Sequence, residues 1–201
     1  SAGTVKGDNM NKYKITAIEH PQYPWLHRIQ ALIDVNEKVP KGTIGGFVDS
    51  ITNLSQGGGC WIYDDAICCE GGLGREEAEI YDDSMVVAGK ARIYNHAVAK
   101  DSCYISSGEI KDDAVIAGKA IIGSLCLQKP LISGDSRVYG MVQGNVHVNG
   151  NIFSWEKIEA NTQDTHIFEH GQWSISPAIE KLQPPLYYPR KKTKKKNPPE
   201  R

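Results

Sequence analysis

His96, in Tyr94-Asn95-His96-Ala97, is the side chain best suited to proton transfer in this chain, because an imidazole titrates near neutrality. It occupies a slot where Asn, Asp and Lys stand elsewhere, and no orienting partner is legible beside it. An exposed, idle turn residue is therefore the favoured reading, with a catalytic base as the alternative. Asp65, Asp83 and Asp101 share an eighteen-residue spacing, and Asp64, Asp82, Asp112 and Asp113 add to the acidity. Such a row could bind a cation or present a line of charge resembling a phosphate backbone, although turn capping and edge protection need the same residues. Tyr63 and Tyr81 are expected to lie one above the other, as anchors for a partner or as simple cross-strand packing. Lys191, Lys192, Lys194, Lys195 and Lys196 form a basic run that suits nucleic acid or another acidic surface, or serves only to solubilise the end. No aromatic is interleaved among these lysines, which weakens stacking on single strands.

No metal and no cofactor are implied. Cys60, Cys68, Cys69, Cys103 and Cys126 are odd in number and lack paired CxxC spacing, so they read as reduced thiols of a cytoplasmic protein. Zinc needs four convergent ligands, whereas the neighbours Cys68 and Cys69 should diverge on a strand. His166 and His170 would project from one strand ~13 Å apart, too far to share an ion.

The elements that must position these residues follow from a repeat. With 201 residues the chain holds one domain with appendages, and its 20 Gly against 3 Phe favour many tight turns over a bulky core. Ile62-Tyr63-Asp64-Asp65-Ala66 returns as Ile80-Tyr81-Asp82-Asp83-Ser84, eighteen residues on, and eighteen is three hexads. An aliphatic residue is followed four positions later by a small one at Ile62/Ala66, Ile80/Ser84, Ile93/Ala97, Ile110/Ala114, Ile116/Ala120 and Ile132/Ser136, and also at Val87/Ala91, Val98/Ser102 and Val138/Val142. The spacing slips by one residue between 84 and 102 and by several near Gln128 to Leu131, where turn insertions are expected. A chain that turns a corner every six residues gives one short strand per hexad and one triangular coil per three. Stacked ~4.8 Å apart, the coils should set Ile62, Ile80, Val98 and Ile116 in one buried column and Ala66, Ser84, Ser102 and Ala120 in another. Recurrent Gly, Asp-Asp and β-branched residues exclude an amphipathic helical stripe.

The expected fold is thus all-β: a single-stranded left-handed parallel β-helix over 46–152, an N-terminal β cap over 10–45, a C-terminal cap over 153–182 and a disordered Pro- and Lys-rich tail over 183–201. Residues 1–9 precede a start-like Met10 and are set aside as an expression remnant. No run approaches the roughly 18 apolar residues of a membrane span, so no membrane partner is expected. Charge is divided: residues 190–201 hold seven basic side chains against Glu200, net +6, which leaves −7 on the rest of a chain whose formal total is −1.

The stretch Lys41-Gly42-Thr43-Ile44-Gly45-Gly46-Phe47-Val48-Asp49-Ser50, with Leu54-Ser55-Gln56 and Cys60-Trp61-Ile62-Tyr63-Asp64, resembles the opening of YdcK-like proteins of enterobacteria and their phages. The resemblance is specific over 40–66, diffuse to about 152 and absent beyond about 154. It implies a left-handed β-helix and no defined activity. Hexad β-helices as a class are best known from CoA-dependent acyltransferases, which use a His base in a groove between subunits; His96 fills that role in the alternative reading. The leading expectation is a non-enzymatic, phage-borne binding protein in the host cytoplasm. Its rigid faces would engage a host protein or protein–nucleic-acid complex, as an inhibitor of host defence or an acidic-surface mimic. A trimer is the oligomer expected of such prisms.

Overall fold

The computed structural model describes residues 11–178; residues 1–9 and the lysines of the tail lie outside the described residues. Among these residues there are strands, turns and bridges and no helix, so no helix is long and apolar enough to cross a membrane. Three strands open the chain: β1 (Tyr13–Glu19), β2 (His27–Ala31) and β3 (Ile44–Val48), antiparallel in order. β3 then pairs in parallel with the second strand of the first coil, which converts the cap into a β-helix.

Six coils follow. The first is β4 (Trp61–Ile62), β5 (Ile67–Cys69) and β6 (Leu73–Gly74); the second is β7 (Glu79–Ile80), β8 (Met85–Val87) and β9 (Ala91–Ile93). The third is β10 (Val98–Ala99), β11 (Tyr104–Ile105) and β12 (Gly108–Ile110); the fourth is β13 (Val115–Ile116), β14 (Ile121–Gly123) and β15 (Leu131–Ile132). The fifth is β16 (Arg137–Val138), β17 (Met141–Gly144) and β18 (Val146–Asn149), and the sixth β19 (Asn151–Ile152), β20 (Lys157–Ala160) and β21 (Thr165–Glu169). Stacking the coils makes three parallel faces: a first through β3, β5, β8, β11, β14, β17 and β20, a second through β4, β7, β10, β13, β16 and β19, and a third through β6, β9, β12, β15, β18 and β21. The parallel ladder thus runs on past residue 152, and only β22 (Gln172–Ser176) reverses, antiparallel to β21. The architecture is a left-handed triangular β-helix.

Every strand is too short to bury anything alone, so stability comes from columns that run down the prism. On the second face Ile62, Ile80, Ala99, Ile116, Val138 and Ile152 stack inward, all fully buried. On the first, Val86, Ile105, Ile122 and Val142 do the same. Each such aliphatic side chain contributes about 1.5–3 kcal/mol by leaving water. At the corners only small side chains fit: Ala66, Ser84, Cys103 and Ala120 form one buried column, and the Ser84 hydroxyl is used up on the Tyr81 carbonyl at 2.6 Å. The cap closes the top of the prism. The Tyr13 hydroxyl reaches the Leu54 carbonyl at 2.9 Å, and the buried Lys12 ammonium donates to the Cys60 and Gly58 carbonyls at 3.0 and 3.3 Å. Gly46 lets the cap approach: a Cβ there would lie 2.4 Å from the Ala66 carbonyl oxygen.

Two expected columns need correction. Ala99, not Val98, faces inward, and Cys103, not Ser102, fills the corner, because β6 to β9 is a nineteen-residue step (Gly74 to Ile93) and the extra residue sits in the turn at 88–90. Val86, not Val87, faces the interior, at the regular eighteen-residue step from Cys68; the pairing of Val87 with Ala91 counts back across the inserted residue. The larger insertion is the loop around Leu125–Gln128, which lengthens the step from Ile110 to Ile132 to twenty-two residues.

Candidate functional site

Passing from the third face to the second, each of the first four coils turns through one residue with positive φ: Glu76, Asn95 and Asp112 at φ 61°, 57° and 60°, then Gly134 at 62°. The side chain in that slot caps the next coil. Glu76 accepts from the Asn95 amide at 2.9 Å, Asn95 from that of Asp112 at 3.2 Å, and Asp112 from that of Gly134 at 3.0 Å. Locked this way, the following residue of each turn projects outward in a second column: Glu77, His96, Asp113, Asp135. Below His96 stands Asp113, while the Glu77 carboxylate of the coil above accepts from the Gly59 amide at 3.0 Å. The His96 Nδ1 lies 3.7 Å from an Asp113 carboxylate oxygen, and the His96 side chain is 70% exposed. That arrangement can hold the ring with Nδ1 toward Asp113 and leave Nε2 free to take a proton.

His96 lines a groove of about 540 Å3 with Glu77, Glu79, Gly59 and the loop 36–38 from the cap. That loop is pinned to the second face by a polar cluster. Lys38 donates to Glu79 at 2.9 Å and to the Tyr81 hydroxyl at 3.0 Å, Tyr81 donates to Glu79 at 2.7 Å, and Asn36 bridges the Gly59 carbonyl at 2.9 Å and the Tyr63 hydroxyl at 3.3 Å. Tyr63 and Tyr81 stack with ring centres 4.2 Å apart. Burial first, and then the adjoining Glu79 charge, push both phenols well above their ordinary range. Partial burial alone would raise the Glu79 carboxyl, but the hydrogen bonds from Tyr81 and Lys38 outweigh it and hold it below the usual value; the same bond raises Lys38.

The edge between the second and first faces corrects the expected acidic row. The positive-φ slot there holds Asp64, Asp82 and Asp101, so Asp101 stacks under Asp82 and not under Asp83. Each carboxylate is taken by a backbone amide of the next coil: Asp82 by Asp101 N at 2.9 Å and Asp101 by Gly118 N at 2.7 Å. Asp65 is paired with Arg28 of the cap, which leaves Asp83 exposed beside it. Cys68 lies in the main core and Cys69 in an outer cluster, and among the described residues no three His, Cys, Asp or Glu side chains converge on a metal-sized site.

Lys38 and Glu79 escaped the sequence reading, and Asp113 entered it only as added acidity, because the seventeen-residue step from Ile93 to Ile110 that sets it under His96 departs from the regular eighteen. A second missed feature is an aromatic shelf. Tyr139 and Phe153 follow interior Val138 and Ile152 as Tyr63 and Tyr81 follow Ile62 and Ile80, and Phe153 stacks on Trp155 at 4.9 Å with planes 2° apart. Trp155 is 79% exposed.

Fold and groove together define a hexad-repeat left-handed β-helix with a histidine on one edge. No family model matches the chain. It is similar to the protein of Escherichia coli K12 described as uncharacterized acetyltransferase YdcK, 32% identical over 85 residues, which is 42% of this chain. The matched segment spans 24% of that relative's length. This match and the coil architecture agree with the YdcK-like β-helix resemblance.

Proposed function

We propose that this β-helix transfers an acyl group from a thioester, with His96 as general base. The observation that carries the reading is the placement of His96 Nδ1 3.7 Å from Asp113 at the rim of the groove under the cap loop. Nε2 takes the proton of an acceptor hydroxyl or amine as it attacks the thioester carbonyl. The new C–O or C–N bond forms, the C–S bond breaks, and the imidazolium returns the proton to the departing thiolate. Asp113 steadies the charged ring during that exchange. The relative described as an acetyltransferase supports the same reading.

The test is thiol release from acetyl-CoA in the presence of a panel of small amine and hydroxyl acceptors, with CoA binding measured in parallel by calorimetry. His96→Asn is expected to lower turnover about 100-fold or more while leaving the CoA dissociation constant within a factor of two. Wild-type protein that neither binds CoA nor releases thiol overturns the reading.

We also propose a second reading, a non-enzymatic binding protein, which the Phe153–Trp155 shelf favours; its finer form is a phage-borne protein acting on a host protein or protein–nucleic-acid complex in the cytoplasm, to which the shelf does not speak. Bases or apolar side chains would seat on the exposed rings. Native mass spectrometry separates the two readings, since bound CoA belongs to the first and a stoichiometric macromolecule, lost in Trp155→Ala, to the second.

A further inference from the structure

Among the described residues Lys12 is the one charged side chain that is fully buried, at 1% exposure. A lysine is rarely buried without a counter-ion, yet no carboxylate of the described residues lies within ion-pair distance of this ammonium. Carbonyl groups hold it instead. The loop 55–60 wraps around it and offers the Gly57, Gly58 and Cys60 oxygens at 3.4, 3.3 and 3.0 Å, while the Gln56 side-chain oxygen accepts from the Lys12 amide at 2.7 Å. The loop is fixed in turn against the next coil: the Cys60 amide donates to the Glu76 carbonyl at 2.7 Å, and a Cβ at Gly58 would lie 2.3 Å from that same oxygen.

This cradle aims the nitrogen at a sulfur. Lys12 Nζ lies 3.1 Å from Cys60 Sγ, and the thiol is itself fully buried. The sulfur's other polar neighbours, the Ser55, Gly57 and Gly74 carbonyl oxygens, all stand back at 3.8 Å. Cys68, Cys69 and Cys103 are buried too, but among the described residues none of them has a side-chain nitrogen bonded to its sulfur. Burial pushes the Cys60 thiol up and outweighs the pull of the Lys12 charge, so the sulfur stays protonated near neutral pH.

We infer that Lys12 and Cys60 are a modification site, joined by dioxygen into a covalent Nζ–O–Sγ bridge. One oxygen atom is inserted between nitrogen and sulfur: N–H and S–H bonds break, N–O and O–S bonds form, the O–O bond breaks and the second oxygen leaves as water. Written from ammonium and thiol, one dioxygen is consumed, and one water and one proton are released. Nitrogen and sulfur are each oxidised by two electrons, which together supply the four that reduce dioxygen. The fixed approach of the two atoms makes closure intramolecular. The product also replaces an uncompensated buried charge with a neutral link. Dioxygen is small and apolar enough to enter a packed interior that excludes larger thiol reagents. The bridge would fasten the cap to the first coil across 48 positions of the chain.

Mass spectrometry of the full chain tests this, in a Cys126→Ser background that removes the exposed thiol. Protein purified under reductant and then held in oxygen-saturated buffer is expected to gain ~14 Da, one oxygen less two hydrogens, and to lose one alkylatable thiol on unfolding; dithiothreitol should reverse both. A sample kept free of oxygen should show neither change. Trypsin should fail to cut after Lys12 in the oxidised chain and should release a peptide pair joined through Lys12 and Cys60. The bridged form is expected to melt about 5 °C or more above the reduced form. Lys12→Met and Cys60→Ser should each abolish the mass gain; since a substitution at a buried site can unfold the cap, the peptide map of the chain with both residues intact is decisive. An unchanged mass with every thiol still alkylatable, a gain of ~32 Da marking sulfinic acid on Cys60, or a gain of ~14 Da that resists dithiothreitol or maps to other residues overturns the inference.

Discussion

Cys126 is the exposed thiol among five cysteines; Cys60, Cys68, Cys69 and Cys103 are buried. Burial pushes the Cys69 and Cys103 thiols up to about 12, so the thiolate that alkylating reagents attack is scarce there at ordinary pH. Iodoacetamide at pH 8 should therefore label one thiol of the native protein, at Cys126, and all five only after unfolding. Intact-mass counting of adducts checks this. Glu79 gives a pH prediction. Its carboxyl is held below the ordinary value in the folded state, so the ionised form adds stability above the unfolded value of ~4.3, and that stability is lost as pH falls through the lower folded value. Lys38 works in the opposite sense: raised, its contribution is complete below the unfolded value of ~10.4 and is lost as pH rises through the higher folded value. Urea midpoints measured from pH 6 down to 3 should fall more steeply for wild type than for Glu79→Gln.

At the scale of the element, the turn decides. Asp82 tolerates φ 56° because its carboxylate is tied to the Asp101 amide at 2.9 Å. Asp82→Ala removes the acceptor and keeps the left-handed backbone, and should cost about 1–2 kcal/mol. Asp82→Asn, which retains an oxygen, should cost less than about half of that. Ala88 holds φ 67° with no side-chain bond to offset it, so Ala88→Gly should raise stability by about 0.5–1 kcal/mol. Equilibrium denaturation with matched m-values tests all three. This turn is also where the eighteen-residue step becomes nineteen, so relief of strain and shift of register come from the same residue insertion.

Across the whole molecule, each coil is held by its neighbours above and below, and the interior columns make the middle of the prism the most cooperative part. Ile116, buried between Ala99 and Val138, should cost about 2–5 kcal/mol as Ile116→Ala, whereas a matching change at exposed Ile175 on the last strand should cost under about 0.5 kcal/mol. Hydrogen exchange should show the amides of β10 to β15 opening last and those of β22 first, because β22 is exposed along its length and has a partner on one side only. Opening of all coils at one rate would contradict this.

Residue type and spacing alone determined the all-β, three-hexad coil, the rule of one inward aliphatic and one small corner residue per hexad, and two of the places where the period slips. These depend on a local rule, one corner every six residues, that each hexad obeys without reference to distant parts of the chain. What the tertiary structure decided is everything that depends on cumulative register or on the cap. One extra residue at 88–90 exchanged Val98 for Ala99 in the core and moved Asp101 into the Asp82 column, and the seventeen-residue step that follows, Ile93 to Ile110, placed Asp113 beneath His96. The cap brought Lys38 to Glu79, forty-one residues away, and Arg28 to Asp65, neutralising groups that the repeat alone leaves bare. Contacts of that kind are set by how a chain closes on itself in space, which no local period encodes.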